Sequence, residues 1–498
     1  MEGKRWQKYK KSLERHSRGV IGSIFHVVEE IEDTLSDWMG GDVELTPQQR
    51  QDMLKEGKVY DEASKTMRII PYNLANVIIN KMELNFMVIH DETTNRNDIF
   101  VYKDGYYVNN GENMIRNIIN DLIEEKTSEH LKRETLGIVK DIKNIKRGDV
   151  EPPPSFINFK NGILDINTMK LEKHDPKKRF LNQIPVNYNP KAKCEKIKAF
   201  FSEVLIKKDI PTIQEMFGYC MLRSYPIAKA FILYGDGRNG KGVTTAILQA
   251  MLGGDNYSSR KLHDLMSDKF AKADLYTRLA NIAGEMSYED LKSTDSFKEL
   301  TGQDPISAER KYHGTFKFKN YAKLIFNTNR VPYTHDKTHA FYSRVVIIPY
   351  LNTFATIDSK TDPEIYKKLT TKDELEGLVI WALEGLKRVS GNNKFSNVGS
   401  IEKQSDMYED MVNTERTWLQ DFYYTTGDEQ DSQTTKLMYE LYEIYCNQCN
   451  IPLKTRRLLT DTAIRLFKDN PKVTITTKTI FEANRKVRYT TFHGIRQK

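Results

Sequence analysis

The sequence predicts an α/β protein with a parallel central sheet, preceded by a mixed α+β region and followed by a winged-helix domain. Three observations predict this fold class. Buried apolar runs alternate with helical stretches between residues 230 and 350, a glycine-rich loop follows the first of these runs, and the chain ends in two helices and a β-pair. Strands separated by helices are typical of a parallel sheet covered on both faces.

Composition describes a globular chain of several domains. At 498 residues the chain is too long for one core, and its apolar content of 39% supplies ample core material. No uncharged apolar run approaches the roughly 18 residues that span a bilayer, so we expect no membrane segment. Four cysteines in this length predict a reducing compartment, which we take to be the cytoplasm of a bacterial host cell. Cys446 and Cys449 form a lone CxxC, interpreted as one face of a helix in preference to a zinc or redox site.

The net charge of +8 is unevenly distributed. From Lys436 to the C-terminus there are 13 Lys/Arg and 5 Asp/Glu, and the remainder balances because 76 − 13 and 68 − 5 both equal 63. A small basic unit on a neutral body indicates either a polyanion-binding appendage or a lysine-rich solvated surface. The first 18 residues are also basic and predict a frayed arm.

The predicted elements define four regions. Region 1–150 is α+β and of unknown role, with strands at 86–89, 98–102 and 106–108 and helical spacing over 112–145. Pro152–Pro154 mark a boundary, and region 155–229 holds a β segment at 161–166 and a helical stretch at 195–224. Region 230–395 is the core, with elements at 230–235, 241–252, 279–284, 289–300, 322–328, 345–350 and 373–390. Region 396–498 holds helices at 401–424, 436–447 and 455–468 and a β-pair at 473–479 and 487–492.

A glycine-rich segment, Gly235–Gly242, fits a phosphate-binding loop. It follows a predicted strand and opens a predicted helix, so its backbone N–H groups and the helix dipole would face an anion. Lys241 would add a mobile cation for the β- and γ-phosphates. The predicted ATP contacts are Gly235, Asp236, Gly237, Arg238, Asn239, Gly240, Lys241, Gly242, Val243 and Thr244.

Three polar residues at the ends of later strands complete a predicted ATPase site. Glu285 follows a buried strand and would polarise the attacking water, although a surface carboxylate that caps a strand is the alternative. Asn329 ends the next strand and would position that water, or is a turn residue. Arg344 precedes the fourth strand and would stabilise the transition state in a neighbouring subunit as an arginine finger. Lys241, Glu285, Asn329 and Arg344 are therefore the candidate catalytic residues.

Segment 230–350 resembles a superfamily III helicase ATPase of the AAA+ class. The resemblance is to the phage and plasmid primase-helicase type, which is related to poxvirus primase-helicases. Residues 159–190 and 442–457 resemble the flanking segments of the phage members, so the resemblance covers about 155–498. In the family, the stretch that matches residues 300–313 forms a hairpin that grips DNA. The resemblance thus implies DNA contacts by Lys311, Tyr312 and His313, and an ammonium beside aromatic rings suits phosphate and base.

The loop departs from the family pattern at the residue after the lysine. Gly242 stands where a Ser or Thr commonly helps to hold Mg²⁺, and Gly284 precedes Glu285. Mg²⁺ readily keeps several bound waters and is commonly coordinated by substrate phosphates. We therefore expect Glu285, the phosphates and waters to hold the ion. Thr244 or Thr245, one turn into the helix, could also reach it.

The sequence therefore predicts an ATP-dependent DNA helicase of a mobile element or virus, with ATP and Mg²⁺ as cofactors. It would unwind single-stranded, forked or origin DNA during replication as a homo-oligomeric ring, expected to be a hexamer, with a primase or other replication factor as a further partner. One alternative is an ATP-dependent initiator that melts origin DNA without processive unwinding. A second is a P-loop enzyme that acts on small phosphate acceptors.

Overall fold

The computed structural model describes residues 58–61, 66–81, 86–91, 96–123, 128–142, 144–146, 150–235, 237–284, 286, 291–311, 314–352, 364–448, 453–482 and 485–497. The predicted basic arm of the first 18 residues lies outside these ranges. No helix in the described part of the chain is long and apolar enough to cross a bilayer.

The N-terminal region is a small α+β unit with a mainly antiparallel sheet. Its elements are β1 (Lys58–Asp61), β2 (Thr66–Ile69), α1 (Pro71–Lys81), β3 (Phe86–Asp91), β4 (Arg96–Lys103), β5 (Tyr106–Val108), α2 (Gly111–Ile123), α3 (Glu129–Ile142) and β6 (Asn144–Lys146). A sheet of order β5-β4-β3-β6 contains the predicted hairpin β4–β5. The helical spacing over 112–145 is divided between two helices, because Ser128 caps α3 by accepting a hydrogen bond from the Leu131 N–H at 3.1 Å.

Residues 150–220 join this unit to the central sheet. They form β7 (Phe156–Phe159), β8 (Gly162–Asp165), β9 (Lys170–Glu172), α4 (Glu195–Val204) and α5 (Ile210–Cys220). The predicted helical stretch 195–224 is thus two helices, and Pro211 lies in the first turn of α5, where proline is tolerated. The Arg223 guanidinium donates hydrogen bonds to the carbonyls of Pro152, Pro153 and Phe156. The proline run is therefore tied to the end of α5.

The core is a five-stranded parallel sheet of order β11-β12-β15-β10-β16. Its elements are β10 (Ala230–Tyr234), α6 (Lys241–Leu252), β11 (Tyr257–Ser258), α7 (Leu262–Ser267), α8 (Lys269–Ala273), β12 (Ala280–Ala283), α9 (Asp295–Leu300), β13 (Pro305–Arg310), β14 (Gly314–Lys319), β15 (Lys323–Thr328), α10 (His339–Tyr342) and β16 (Val345–Pro349). Alternate residues of β10 enter opposite cores, Phe231 and Leu233 on one face and Ala230 and Ile232 on the other. The prediction of a parallel sheet covered on both faces is confirmed.

One core prediction needs correction, and three short elements were missed. The helix predicted over 289–300 is wrong at its start, because Leu291 forms a parallel bridge with Thr334 and α9 begins only at Asp295. The short edge strand β11 and the helices α7 and α8 were not predicted. Two residues of strand and helices of five or six residues are too short for a periodic pattern.

A long helix covers one face of the core. The chain continues as α11 (Ile365–Leu369), α12 (Lys372–Asn392), α13 (Ile401–Val412) and α14 (Thr414–Phe422). Helix α12 crosses α5 at backbone distance, because Gly218 and Gly385 have no side chains to keep the helices apart. The single helix predicted over 401–424 is wrong: Asn413 leaves helical geometry at φ −92°, ψ 68°, and the chain becomes extended at Tyr423.

The C-terminal region has the predicted helices and β-pair. Its elements are β17 (Tyr423–Thr425), β18 (Ser432–Thr434), α15 (Thr435–Gln448), α16 (Arg456–Phe467), β19 (Thr474–Glu482), β20 (Arg485–His493) and β21 (Ile495–Gln497). Cys446 is buried in the core of this region with Trp418 and Tyr442, as the interpretation of a helix face requires. Cys449 lies outside the described residues. Arg457 and Arg465 of α16 are exposed.

Candidate functional site

The glycine-rich loop connects the carboxyl end of β10 to the first residue of α6, Lys241. Two of its glycines are sterically required. A Cβ atom at Gly235 would lie 2.3 Å from the Tyr350 carbonyl oxygen, and one at Gly240, where φ is +91°, would lie 2.6 Å from Cγ1 of Val204. Arg238 also adopts a positive φ, +58°. Asp236 lies outside the described residues.

Lys241 is folded onto its own loop. Its ammonium donates hydrogen bonds to the Gly235 carbonyl and to Oδ1 of Asn239, the latter at 3.1 Å. Asn239 in turn donates from Nδ2 to the Tyr350 carbonyl at 3.1 Å, which ties the loop to the end of β16. The lysine is only 9% exposed. A polyphosphate with its own oxygens could replace the two loop oxygens as partners of this cation.

Asn329 lies at the same edge of the sheet as the loop. Strand β15 pairs with β10 in parallel, Tyr234 opposite Thr328, and the Gly235 N–H donates to the Thr328 carbonyl at 3.2 Å. Asn329 is the next residue and is exposed. The structure therefore brings Lys241 and Asn329 to one edge, as parallel strands require.

Glu285 lies outside the described residues, so its position stays a prediction. The strand before it, β12, is the next neighbour of β15, with Ala283 opposite Phe326. Its carboxyl end faces the same edge as Asn329, and Gly284 is exposed there. Within the described ranges, no group of three or more His, Cys, Asp or Glu side chains is placed to hold a metal ion.

Arg344 lies at the opposite end of the sheet. Its carbonyl accepts a hydrogen bond from the Ala230 N–H at 2.7 Å, at the start of β10, so the length of a strand, roughly 15 Å, separates it from the loop. The guanidinium donates to the Ala340 carbonyl at 2.6 Å, while Nε is buried and, among the described residues, has no hydrogen-bond partner. Burial, and secondarily the nearby Arg344 charge, lowers the pKa of Lys229. Arg344 and Lys241 of one chain are not brought together.

The expected β-hairpin is present but spans 305–319 and not 300–313, because Leu300 ends α9 and the first strand begins at Pro305. Strands β13 and β14 are antiparallel with Arg310 opposite Gly314, so Lys311 begins the tip and is exposed. Tyr312 and His313 lie outside the described residues. Along the hairpin, the Tyr276 ring packs against Phe316 and Phe318 at centroid distances of 5.6 and 5.4 Å.

One contact of the hairpin was not predicted from the sequence. Arg310 lies 3.7 Å from Asp98 of β4, in the N-terminal unit, and 5.1 Å from the centre of the Phe316 ring. A carboxylate more than 200 residues earlier in the chain thus faces a cation beside the hairpin tip. No local pattern in the sequence could have indicated this pairing.

The surroundings of Gly242 decide which threonine is available to a metal ion. A Cβ atom at Gly242 would meet no other atom within 4 Å. Thr244 is fully buried, and its hydroxyl accepts from the Tyr350 hydroxyl at 2.9 Å and donates to the Gly240 carbonyl at 3.1 Å.

Asn327 of β15 donates from Nδ2 to Oγ1 of Thr245 at 2.9 Å, while its Oδ1 is buried without a partner among the described residues. An unpaired buried oxygen at this edge suits a hydrated cation.

Comparison with known proteins gives two family matches. The profile described as "D5 N terminal like" matches residues 88–206, and a "Family of unknown function (DUF5906)" matches residues 233–344. The first match crosses the proline run at 152–154. The second spans the loop, the hairpin, Asn329 and Arg344.

A curated relative, "Putative helicase 184R" of Invertebrate iridescent virus 6, is 21% identical over 375 residues, which is 66% of this chain. The chain spans about two fifths of the length of that relative, 38%. Apo structures of the NrS-1 C-terminal region cover 84% of this chain and 98% of theirs at 13–14% identity, with TM-scores of 0.41–0.44. The sequence match confirms the resemblance to viral helicases.

Proposed function

We propose that this chain is an ATP-driven DNA helicase that acts as a ring of identical subunits, expected to be a hexamer, with an AAA+ core and a C-terminal winged helix. The observation that carries the proposal is the placement of three residues on one parallel sheet. Lys241 and Asn329 lie at the carboxyl edge, and Arg344 lies at the amino edge. An arginine at the far edge suits a role in a neighbour's site and not in its own.

Each residue then has a role set by its position. The loop amides and the Lys241 ammonium would hold the β- and γ-phosphates. Asn329 would orient the attacking water, which Glu285 would polarise. Arg344 of the next subunit would stabilise charge on the transferred phosphoryl group. Bound Mg²⁺, held by Glu285 and the phosphates, would neutralise charge on the phosphate oxygens.

DNA would bind at the hairpin tip. Lys311 is exposed there, and an exposed ammonium is a suitable contact for a phosphate backbone. Tyr312 and His313 would support a base or sugar beside it. The basic C-terminal region would engage origin or fork DNA, and a primase or other replication factor is the proposed protein partner.

The test is ATP hydrolysis with and without single-stranded DNA, on the wild type and on Lys241→Ala and Arg344→Ala. We expect Lys241→Ala to lose nucleotide binding. Arg344→Ala should keep nucleotide binding and lose turnover by about 10³-fold, as loss of an arginine finger does. Undiminished turnover in a strictly monomeric sample would contradict the ring.

Two further assays separate the alternatives. Unwinding of forked duplexes distinguishes a helicase from an initiator that melts only origin DNA. Lys311→Ala should remove the stimulation of hydrolysis by DNA. If stimulation is unchanged in this variant, a P-loop enzyme acting on small phosphate acceptors becomes the better account.

A further inference from the structure

Gly242 has no hydroxyl to help hold the metal ion of the proposed site, so we ask which other residue contributes to binding this ion. Thr245 lies three residues further along α6, on the same face of the helix. Its hydroxyl has one proton, which it donates to the Gly242 carbonyl at 3.1 Å, with the Lys241 carbonyl at 3.3 Å as a second acceptor. Thr245 can therefore only accept a hydrogen bond from Asn327.

The hydrogen bonds of the Thr245 hydroxyl determine the orientation of the Asn327 amide. The group facing Thr245 must be the donor, Nδ2, at 2.9 Å. The carbonyl oxygen, Oδ1, then faces away from Thr245. It is buried and has no partner among the residues that the structure describes. Buried amide oxygens are rarely left without a donor, so a water or hydrated ion is the expected partner.

Asn327 lies on the sheet between the two halves of the proposed site. It lies opposite Leu233 of β10, two residues before Asn329. On its other side, Phe326 pairs with Ala283 of β12, which places Asn327 level with Gly284, the residue before Glu285. Asn327 thus lies between the strand that leads into the phosphate-binding loop and the strand that leads to the predicted carboxylate.

We propose that Asn327 is a positioning residue for Mg²⁺, whose Oδ1 accepts a hydrogen bond from a metal-bound water and so compensates for the hydroxyl missing at Gly242. The inference rests on the proposed function. Thr244 is excluded from this role because its hydroxyl is buried between Tyr350 and the Gly240 carbonyl. Mg²⁺ usually keeps several waters, and partners of those waters commonly set its affinity.

The experiment measures metal binding apart from turnover. Mn²⁺, a spectroscopic substitute for Mg²⁺, is titrated by electron paramagnetic resonance into protein saturated with ADP. Binding of a fluorescent ADP analogue is measured in parallel with a chelator present. Asn327→Leu should weaken Mn²⁺ binding by about 10-fold, the usual effect of losing an outer-shell partner. Affinity for metal-free ADP should stay within about 2-fold, since Asn327 would act on the nucleotide only through the ion.

A rescue variant makes the test specific. Gly242→Ser places a hydroxyl where a Cβ meets nothing within 4 Å, so it should restore Mn²⁺ affinity in the Asn327→Leu chain. Gly254→Ser, at another open glycine outside the site, should restore nothing. If Asn327→Leu does not fold, Asn327→Ala serves in its place, with the same weakening of Mn²⁺ binding expected.

The outcomes separate the two proposals. If Asn327→Leu, or Asn327→Ala in its place, binds ADP with unchanged Mn²⁺ affinity, the role of Asn327 is overturned and the proposed function stands. Equal loss of ADP and Mn²⁺ in a folded Asn327→Leu chain also overturns it, because Asn327 would then hold the loop itself. A wild-type chain that binds no ADP overturns both.

Discussion

At the scale of single residues, Lys323 is a charged group without contact with solvent. It is fully buried, its ammonium donates a hydrogen bond to the Leu222 carbonyl at the end of α5, and it lies 4.9 Å from the centre of the Tyr219 ring. Burial, and secondarily the nearby Arg223 charge, lowers the pKa of Lys323 to about 7. An unfolded lysine keeps its proton up to a pH of about 10.4.

Stability should therefore rise with pH above neutrality. Between pH 7 and 8.5 the unfolded chain holds a proton at Lys323 that the folded chain increasingly releases, so the free energy of unfolding rises by roughly 1–2 kcal/mol from this group. Above that window the Cys220 thiol opposes the trend, because burial raises its pKa to about 12 in the folded chain. Urea unfolding at several pH values measures the rise.

The matched variants for this measurement are Lys323→Met and Lys387→Met. Lys323→Met removes the titrating group, so its pH profile should be flatter than that of the wild type. Lys387 of α12 is exposed, and its replacement should leave the profile unchanged. Parallel profiles for wild type and Lys323→Met would contradict the depressed pKa.

At the scale of elements, the crossing of α5 and α12 depends on two glycines. A Cβ atom at Gly385 would lie 2.5 Å from the Gln214 carbonyl oxygen, and one at Gly218 would lie 2.2 Å from that of Ala382. Gly385→Ala should therefore force the helices apart and lower the free energy of unfolding by about 1–3 kcal/mol, the cost of overpacking. The urea midpoint of the domain measures it.

Gly391, on the same helix, is the control. An added Cβ there meets nothing within 4 Å, and alanine favours a helix over glycine by up to about 1 kcal/mol. Gly391→Ala should be neutral or stabilising. Equal effects at the two glycines would show that helix propensity, and not the close crossing, governs Gly385.

At the scale of the whole molecule, the N-terminal unit touches the proposed DNA-binding hairpin through Asp98 and Arg310. Both side chains are about one third exposed, so the pair contributes at most about 1 kcal/mol to stability. Asp98→Asn would release the Arg310 cation for phosphate. Under the proposed function, affinity for single-stranded DNA should rise about two- to five-fold, and more at low salt.

Fluorescence anisotropy with a labelled oligonucleotide measures this change. Asp104→Asn, at an exposed turn of the same N-terminal sheet, is the matched control and should leave affinity unchanged. If both variants raise affinity equally, the cause is the lost negative charge in general. The pairing with Arg310 would then have no special role.

The ring is tested by mixing two inactive chains. Lys241→Ala lacks the loop cation and Arg344→Ala lacks the proposed finger. A junction is intact only where an Arg344→Ala chain supplies the loop and its Lys241→Ala neighbour supplies the finger. An equal mixture should recover activity at about a quarter of the junctions, since subunits combine at random around a closed ring. Activity that stays absent in the mixture, with oligomers present by light scattering, would contradict a finger supplied in trans.

Much of the core could be predicted from the sequence because its signals are local. The run of apolar residues at β10, the glycines before Lys241 and the strand before Asn329 were each located within one or two residues. The hairpin was expected from the family resemblance over 300–313 and lies at 305–319. The helix break at Asn413 and the short elements β11, α7 and α8 were missed. Apolar periodicity continues across a one-residue break, and it needs more residues than these short elements contain.

Local signals alone located the main strands of the core and a loop suited to phosphate, and they indicated a sheet buried on both faces. Tertiary packing set the order β11-β12-β15-β10-β16, and with it the placement of Arg344 at the edge opposite Lys241. The same packing brings Asn327 into contact with Thr245, 82 residues apart, and forms the hydrogen bonds from Arg223 to the proline run. Local patterns depend on backbone geometry over a few residues. Contacts between distant residues depend on how whole elements pack, which no short stretch of sequence specifies.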